Sequence, residues 1–332
     1  MSAFIEKYRD RFGVELICRI LGVSASAYYQ RATGGRSARS LEDERLLAKI
    51  GKIFAENYEC YGVRRMHAAL LRDGERVGRE QVARLMRGAG IRGAKRRGKP
   101  WRTTISDPAA QKRPDLVNRD FTATAPDLLW VGDLTYLRTW EGKVYFSFVI
   151  DVYSRMIVGW QLATHMRTDL VLDALRMALA TRQPGADFTL VAHTDQGSQY
   201  LSEDYTQQLD DARVLASVGS VGDAYDNALA ESFVDSFKTE LIKDRVWHNN
   251  TKLELEIVEY VAWFNTRRLH SSIGNRPPVE HEAEWLARNG SQPNALQLPQ
   301  ALFTVNAAGE YDPPGSSPTT GSRQWHTDKN NY

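Results

Sequence analysis

The feature that most constrains the fold is a change of hydrophobic pattern near residue 123. Three strand-like runs follow one another beyond that point: LLWVGDLTYLRT, KVYFSFVIDVYS and MIVGWQLAT. The chain then alternates helix and strand: helix DLVLDALRMALATR, strand TLVAHTD, a helix over about 202–213, strand VLASVG, and helices over about 228–241 and 252–268. Successive strands followed by alternation predict an α/β domain with a mixed five-stranded sheet and helices on its faces.

The chain before this point is helical in pattern. Residues 14–31 predict a short helix, a turn at Gly22-Val23 and a second helix capped by Ser24. Residues 42–91 predict three longer helices, in which Leu46, Leu47, Ile50 and Ile53 recur at helical spacing. Helix, tight turn and helix is the layout of a helix-turn-helix, although a small helical bundle with an arginine-rich face has the same pattern. In the last helix Val82, Leu85 and Met86 are predicted to pack, and Arg79, Gln81 and Arg84 to face outward.

The charge is distributed unevenly along the 332 residues. Residues 1–122 carry 26 Lys and Arg against 14 Asp and Glu, whereas residues 123–332 carry 17 against 27. A basic half joined to an acidic half favours a polyanion as partner, although two solvated surfaces of opposite sign would look alike. With only Cys18 and Cys60, the chain offers neither a disulfide framework nor a cysteine-rich zinc site. No apolar run approaches a membrane span, and a cytoplasmic location is expected.

Five segments are therefore predicted: a helix-turn-helix-like segment (1–38), a helix-turn-helix domain (39–92), a basic linker (93–122), the α/β domain (123–288) and a mostly disordered tail (289–332). The linker contains RGAKRRGKPWRTT, which can lie along phosphates and release their counterions. Lys95, Arg96 and Arg97 are its predicted DNA contacts. A solvated tether between domains is compatible with this interpretation.

Carboxylates at strand ends are the most informative single residues. Asp133 interrupts an apolar strand, Asp195 ends another, and Glu231 lies opposite the apolar stripe of the helix ALAESFVDSFKTELI. Helical geometry places Asn227, Glu231 and Lys238 on one line. Each acid taken singly is more simply a turn residue or a solvated side chain. Three converging carboxylates would repel one another unless cations lie between them, and their oxygens suit two Mg²⁺ or Mn²⁺ ions that act on a phosphodiester.

Six sequence blocks carry a family resemblance. In order they are YGVRRMHAALLRDGERVGREQVARLMRGAGIRG, WVGDLTYL, VIDVYSRMIVGW, HTDQGSQY, DAYDNALAESFVDSFKTELI and WFNTRRLHSSIGNRPPVE. Together they resemble bacterial transposases of the "insertion sequence three" family, whose catalytic core is related to retroviral integrases. Thirty-five residues separate Asp195 from Glu231, the spacing that names the Asp-Asp-Glu class. The resemblance extends over about residues 1–285 and implies an RNase-H-like core behind a helix-turn-helix domain.

The resemblance implies a function and a set of roles. The function is a transposase that binds insertion-sequence ends, cuts their 3′ ends in a metal-dependent reaction and transfers the strand by direct transesterification. Asp133, Asp195 and Glu231 would hold two divalent ions, while Lys238, Asn227, Arg267 and Arg268 would contact DNA. Asp151 and His193 are expected to be structural, and Gln196 replaces a residue that is commonly basic in the family.

The partners expected are double-stranded DNA, further copies of the chain in a dimer or larger assembly, and a DNA-binding product of an upstream reading frame. Two alternatives stay open. One is a non-catalytic DNA-binding regulator that uses only the helix-turn-helix units. The other is an RNase-H-like nuclease or resolvase, which cuts without joining.

Overall fold

A computed structural model describes residues 1–34, 36–95, 115–117, 120–183, 190–219, 228–243 and 245–290. The predicted disordered tail from residue 291 onward and most of the predicted linker lie outside these residues. The described chain forms two compact units. One holds the N-terminal helices, the tip of the first β-hairpin and the helical segments between residues 228 and 281. The other holds most of the sheet with its two helices and the end of the C-terminal helix. The predicted domain boundaries stay a prediction.

The first unit begins with six helices: α1 (Ser2–Phe12), α2 (Val14–Leu21), α3 (Ala25–Ala32), α4 (Ala38–Glu56), α5 (Val63–Arg72) and α6 (Arg79–Gly88). The sequence pattern did not predict α1. Gly22 ends α2 in the left-handed conformation (φ 65°), which glycine adopts without the steric cost of a Cβ. Ser24 then caps α3 by accepting the Ala27 N–H, as predicted. Helices α1, α2 and α3 enclose a small core around Ile5, Ile17 and Tyr28.

The same unit contains α9 (Ala228–Phe237), a π-helical segment (Lys238–Ile242), α10 (Asn250–Thr266), a 3₁₀ turn (Ser271–Ile273) and the start of α11 (Pro278–Asn289). The predicted helix over about 228–241 is thus α-helical only to Phe237. The Lys243 N–H donates to the Lys238 carbonyl oxygen at 2.7 Å, a five-residue step that replaces the usual four. The predicted helix over 252–268 begins two residues earlier and ends at Thr266, and α11 was not predicted.

The sheet has the strands β1 (Leu129–Thr139), β2 (Gly142–Asp151), β3 (Ile157–Ala163), β4 (Val191–Thr194) and β5 (Leu215–Val218), in the order β3-β2-β1-β4-β5. Strands β2 and β3 are antiparallel, whereas β4 is parallel to both β1 and β5. Helices α7 (Thr168–Arg182) and α8 (Glu203–Asp211) complete the second unit. The predicted mixed five-stranded sheet is confirmed, and its strand order is that of an RNase-H-like fold.

The β-rich unit is held together by an apolar interior. The long run KVYFSFVID supplies Phe146, Phe148 and Ile150, all at most 2% exposed. Helix α7 packs on β3 so closely that a Cβ at Gly159 would lie 2.2 Å from the Ala174 carbonyl oxygen. In the described part of the chain, no helix is both long and apolar enough to cross a membrane.

Candidate catalytic centre and DNA-binding residues

Two of the predicted carboxylates lie on neighbouring parallel strands. In the β1/β4 ladder Leu129 pairs with Val191 and Val131 with His193. Asp133 and Asp195 each follow two residues after the last of these pairs. Asp133 lies within β1, and Asp195 lies one residue beyond β4. Continuing the parallel register by two residues, with neighbouring strands about 4.8 Å apart, brings the two aspartates next to each other. Neither side chain is fully buried.

Backbone N–H groups orient both aspartates. Asp133 Oδ1 accepts the Leu134 N–H at 2.7 Å, and Asp195 Oδ1 accepts the Gly197 N–H at 3.0 Å. A Cβ at position 197 would lie 3.1 Å from Asp195 Oδ1 and 3.2 Å from Gln199 Oε1. Glycine at 197 therefore lets the chain turn tightly around the Asp195 carboxylate.

Tyr200 is a buried residue close to Asp133 and Asp195, and the sequence analysis assigned it no role. Its ring is 5% exposed and lies 4.0 Å from where a Cβ on Gly132 would stand. Burial, with the negative charges of Asp133 and Asp195, raises the pKa of the phenol well above its ordinary value. The phenol of Tyr200 therefore stays neutral next to the two aspartates. Its sequence signal was an aromatic residue in the turn that follows Asp195.

Glu231 lies in the first turn of α9, in the other compact unit. Its carboxylate is exposed, and partial loss of water around it raises its pKa. The predicted apolar stripe is largely confirmed, because Phe233, Phe237 and Leu241 are buried. Asn227 lies outside the described residues. Over the ranges that the structure describes, no three His, Cys, Asp or Glu side chains form a preassembled metal-binding cluster.

Lys238 begins the π-helical segment. The α-helical spacing that aligned it with Glu231 therefore applies only up to Phe237. The widened turn also brings Glu240 into the interior, where the carboxylate is 8% exposed and accepts a hydrogen bond from Tyr260 Oη at 2.9 Å. A local change of helix type of this kind is not visible in hydrophobic periodicity.

Asp151 and His193 have structural roles, as predicted. Asp151 Oδ1 accepts the N–H and hydroxyl of Ser154 at 2.7 and 2.6 Å, and Oδ2 accepts the Asp127 N–H at 2.9 Å. His193 is 1% exposed, and its Nδ1 lies 2.9 Å from Ser217 Oγ. Gln196 donates from Nε2 to the Gly219 carbonyl oxygen at 2.8 Å, so this amide fastens the turn after β4 to the end of β5.

The predicted DNA contacts of α6 divide into two groups. Arg79 is exposed. Gln81 and Arg84 both donate to Asp43 Oδ1, at 3.2 and 2.7 Å, and so attach α6 to α4 while the Arg84 side chain remains 45% exposed. Lys95 is exposed, whereas Arg96 and Arg97 lie outside the described residues.

The two arginines after α10 differ sharply. The Arg267 side chain is 58% exposed, with Nη2 3.9 Å from Glu56 Oε2. Arg268 is 3% exposed, and its guanidinium makes hydrogen bonds of 2.8 and 2.5 Å to the two carboxylate oxygens of Glu240. A buried guanidinium neutralised by a carboxylate cannot reach a phosphate. The structure therefore corrects the prediction that Arg268 contacts DNA.

The sequence also missed a buried ionic cluster in the second unit. Arg182 Nε donates to Asp127 at 2.8 and 3.1 Å, and its Nη1 donates to Glu282 Oε1 at 2.6 Å. Asp127 Oδ1 also accepts the indole N–H of Trp130, one of the first residues of β1. The partners are 55 and 100 residues apart along the chain, a separation at which sequence periodicity gives no signal.

Comparison with known families assigns most of the chain to two kinds of domain. Residues 123–224 and 212–278 match models described as integrase core domain, and residues 41–99 match an HTH-like domain. Fold and matches together define the class: a polynucleotidyl transferase of the integrase type that carries a helix-turn-helix-like domain.

The relatives give the family. The chain is 44% identical over 296 residues to the transposase for insertion sequence element IS629 of Shigella sonnei, covering 88% of this chain and 98% of that protein. It is 44% identical over 270 residues to the putative transposase for IS986/IS6110 of Mycobacterium tuberculosis, covering 80% and 97%. The chain belongs to the insertion-sequence-three (IS3) family of DNA transposases.

Solved structures show lower similarity. A chain of the simian T-cell lymphotropic virus intasome, in complex with a regulatory subunit of PP2A, aligns over 82% of this chain and 80% of its own length, with 14% identity and a TM-score of 0.41. The magnesium-bound catalytic core domain of the HTLV-2 integrase aligns over 48% and 98%, with 13% identity and a TM-score of 0.35.

Proposed function

We propose that Asp133, Asp195 and Glu231 are the catalytic carboxylates of this transposase. The observation that supports the proposal is the register of β1 and β4, which pairs Val131 with His193, two residues before Asp133 and Asp195. Two adjacent carboxylates that are held by backbone N–H groups are a costly arrangement without a cation, because their charges repel. Glu231, on an exposed face of α9, is the third acid that the family pattern requires.

The donor atoms fit hard divalent ions. Carboxylate oxygens are the ligands that Mg²⁺ and Mn²⁺ prefer, whereas zinc sites favour histidine and cysteine. We propose two such ions, and they would supply charge neutralisation and activation of the attacking oxygen when bound. The chain itself contributes the two carboxylates, the paired strands β1 and β4, and the neutral phenol of Tyr200 close to both acids.

The reaction proposed has two steps. Water first attacks the phosphodiester at the 3′ end of the element, so that the bond from phosphorus to the 3′ oxygen breaks and a 3′-hydroxyl is released. That hydroxyl then attacks a second phosphodiester, forming a new phosphorus–oxygen bond and releasing another 3′-hydroxyl. No covalent enzyme intermediate is formed, which agrees with a centre that we build from carboxylates rather than from a serine or tyrosine nucleophile.

DNA binding is assigned to the helical modules and the basic segments around them. The residues proposed are Arg79, Gln81, Arg84, Lys95, Arg96, Arg97, Asn227, Lys238 and Arg267. Two transposon ends must be held together, which implies a dimer or a larger assembly of this chain. A DNA-binding product of an upstream reading frame is a further proposed partner, and the bacterial nucleoid is the proposed place of action.

The test replaces Glu231 by glutamine, which keeps shape and hydrogen bonding but removes the charge. We expect Glu231→Gln to abolish Mg²⁺-dependent cleavage of a duplex that carries the element's own terminal repeats, while binding of the same duplex is unchanged. Glu259→Gln, an exposed glutamate on α10, is the matched control and should cleave normally.

Cleavage at the wild-type rate in Glu231→Gln would refute the assignment. Joining of the cut end to a second DNA must be measured beside cutting, because cutting without joining would indicate a nuclease or resolvase. Binding without either activity in the wild-type protein would indicate a regulator.

A further inference from the structure

An exposed tryptophan stands at the tip of the first β-hairpin. Trp140 lies in the connection between β1 and β2, and 72% of its surface is exposed. Tryptophan is costly to leave in water, because its ring buries a large apolar area when it packs. Nothing in the proposed catalytic centre or in the helix-turn-helix domain accounts for this residue.

The tip is held in place rather than free to move. The Trp140 N–H donates to the Trp247 carbonyl oxygen at 2.9 Å, and the Thr139 hydroxyl donates to Asn250 Oδ1 at 2.8 Å. The Asn250 N–H in turn donates to Glu141 Oε2 at 2.8 Å. The hairpin tip is thus fastened on both sides of Trp140 to the segment 245–250, while the indole itself points into solvent.

The imidazole ring of His248 packs against the indole of Trp140. The centroid of the His248 ring lies 4.0 Å from that of Trp140, and the two planes are nearly perpendicular at 80°. An edge-to-face pair of this kind favours one relative orientation of the two rings. The contact therefore restricts the exposed indole, which lowers the entropy cost of stacking a planar ligand on it.

The charges around the tip favour a polyanion. Within the described residues of the tip (138–143) and of the facing segment (245–250), Arg138, Lys143 and Arg245 are positive and Glu141 is the single carboxylate. That carboxylate already accepts the Asn250 N–H, and Arg245 lies 3.4 Å from Glu256. Arg138 and Lys143, both exposed, flank the indole along the chain.

We propose that Trp140 is a stacking platform for an unpaired base of the DNA substrate, with Arg138 and Lys143 on the adjoining phosphates. Base stacking on an aromatic ring between basic side chains is a general mode of single-strand recognition. A rigid indole on a strand hairpin, without a recognition helix, suits a base outside the duplex stack better than a base edge in a groove. The inference rests on the DNA-binding part of the proposed function.

A protein partner is less well supported by the same surface. A stable protein interface takes about 800 Å² from each partner, with an apolar centre. In the described part of this surface the large exposed apolar residues are Trp140 and Val246, surrounded by charged and amide side chains. One aromatic ring in a basic setting matches a nucleotide better than a protein face.

The test compares two labelled DNAs, a blunt duplex and the same duplex with a 3′ overhang of thymidines, by fluorescence anisotropy in EDTA. We expect Trp140→Ala to weaken binding of the overhang DNA by about 5- to 150-fold, the effect of removing one stacked base contact, with little change for the blunt duplex. Trp140→Phe should retain most of the affinity. Trp140→Leu, which keeps apolar bulk without an aromatic face, should behave like the alanine variant.

Leu255→Ala is the matched control, since Leu255 is a 47% exposed apolar residue on α10. Unchanged overhang binding in both Trp140→Ala and Trp140→Leu would overturn the proposal. Equal losses on both DNAs would also overturn it, in favour of a duplex contact, and a changed oligomeric state with normal DNA binding would assign the surface to protein. Because EDTA prevents cleavage, these outcomes are independent of whether the catalytic assignment holds.

Discussion

Replacing Arg182 by methionine should destabilise the β-rich unit far more than any surface substitution. The Arg182 side chain is 2% exposed, and its guanidinium is the hydrogen-bonding partner of two buried carboxylates, Asp127 and Glu282. Asp151, entirely buried, lies close enough for its charge to act on the same guanidinium. Methionine keeps the unbranched apolar stem, so the substitution tests the charge rather than the packing.

The size of this loss of stability follows from the two buried carboxylates, Asp127 and Glu282, that remain without their guanidinium partner. Hydrogen bonds to charged groups contribute about 1.5–3 kcal/mol each, and Arg182 makes such bonds to two acids. Removing one partner of a buried ion pair costs about 3–5 kcal/mol, because the remaining charge is neither solvated nor paired. We expect a loss in that range in the free energy of unfolding, against a total of about 5–15 kcal/mol for a typical domain.

Urea unfolding followed by circular dichroism at pH 8 measures this loss. Arg176→Met is the matched control on the same helix, since Arg176 is 57% exposed and its ion pair with Asp173 (3.2 Å) lies at the surface. Exposed ion pairs contribute about 0–1 kcal/mol, so Arg176→Met should change the free energy of unfolding by no more than that. If Arg182→Met and Arg176→Met unfold at the same urea concentration, the cluster does not stabilise the unit and the reasoning fails.

The same cluster gives a dependence on pH. Burial raises the pKa of Glu282 to about 7, from an ordinary value near 4.5. The folded state therefore binds this proton more tightly than the unfolded state, and the stability that this proton contributes is present below about pH 4.5 and is lost as the pH rises through about 7. Glu282→Gln, which is neutral at every pH, should remove that part of the slope. An identical decline between pH 5 and 8 in both proteins would contradict this.

Two further predictions separate structural from functional positions. Arg268→Met should lower the free energy of unfolding by up to about 3–5 kcal/mol, because the buried Glu240 then keeps only the Tyr260 hydroxyl and a longer contact to Arg65 (3.5 Å). Arg267→Ala should instead weaken DNA binding with little change in melting temperature. The reverse pattern would restore Arg268 as a DNA contact. Gly159→Ala should cost about 1–3 kcal/mol or more, because its Cβ would lie 2.2 Å from a backbone oxygen of α7. Gly51→Ala, in α4 with nothing within 4 Å, should stabilise by about 0.5–1 kcal/mol in the same thermal melts, and similar shifts for both would refute the packing argument.

Most of the secondary structure and the three candidate carboxylates were predicted from local signals, whereas α1, α11 and the π-helical segment were not. Apolar alternation, a glycine after α2 and a serine before α3 each act within a few residues. Asp133 and Asp195 were visible for the same reason, since each interrupts or ends an apolar strand. The register that sets them side by side is a pairing of segments about 60 residues apart, and it needed the sheet.

Arg267 and Arg268 show where local reasoning fails. They are neighbours of identical chemistry, yet one is exposed and the other is buried against Glu240. The difference depends on the π-helical turn and on residues almost 30 positions away, because burial is decided by which distant surface packs over a side chain.

By itself the sequence determined the sheet's strands, helices α2 to α6, the positions of Asp133 within β1 and Asp195 directly after β4, and the family. These follow from periodicity, from capping and from ordered motifs, all of which are properties of contiguous residues. Tertiary structure alone decided that Arg182 joins Asp127 to Glu282, that Tyr200 lies behind the two aspartates, and that Trp140 is held facing solvent. The physical reason is that desolvation, pairing of charges and exposure depend on neighbours in space, which the order of residues does not specify.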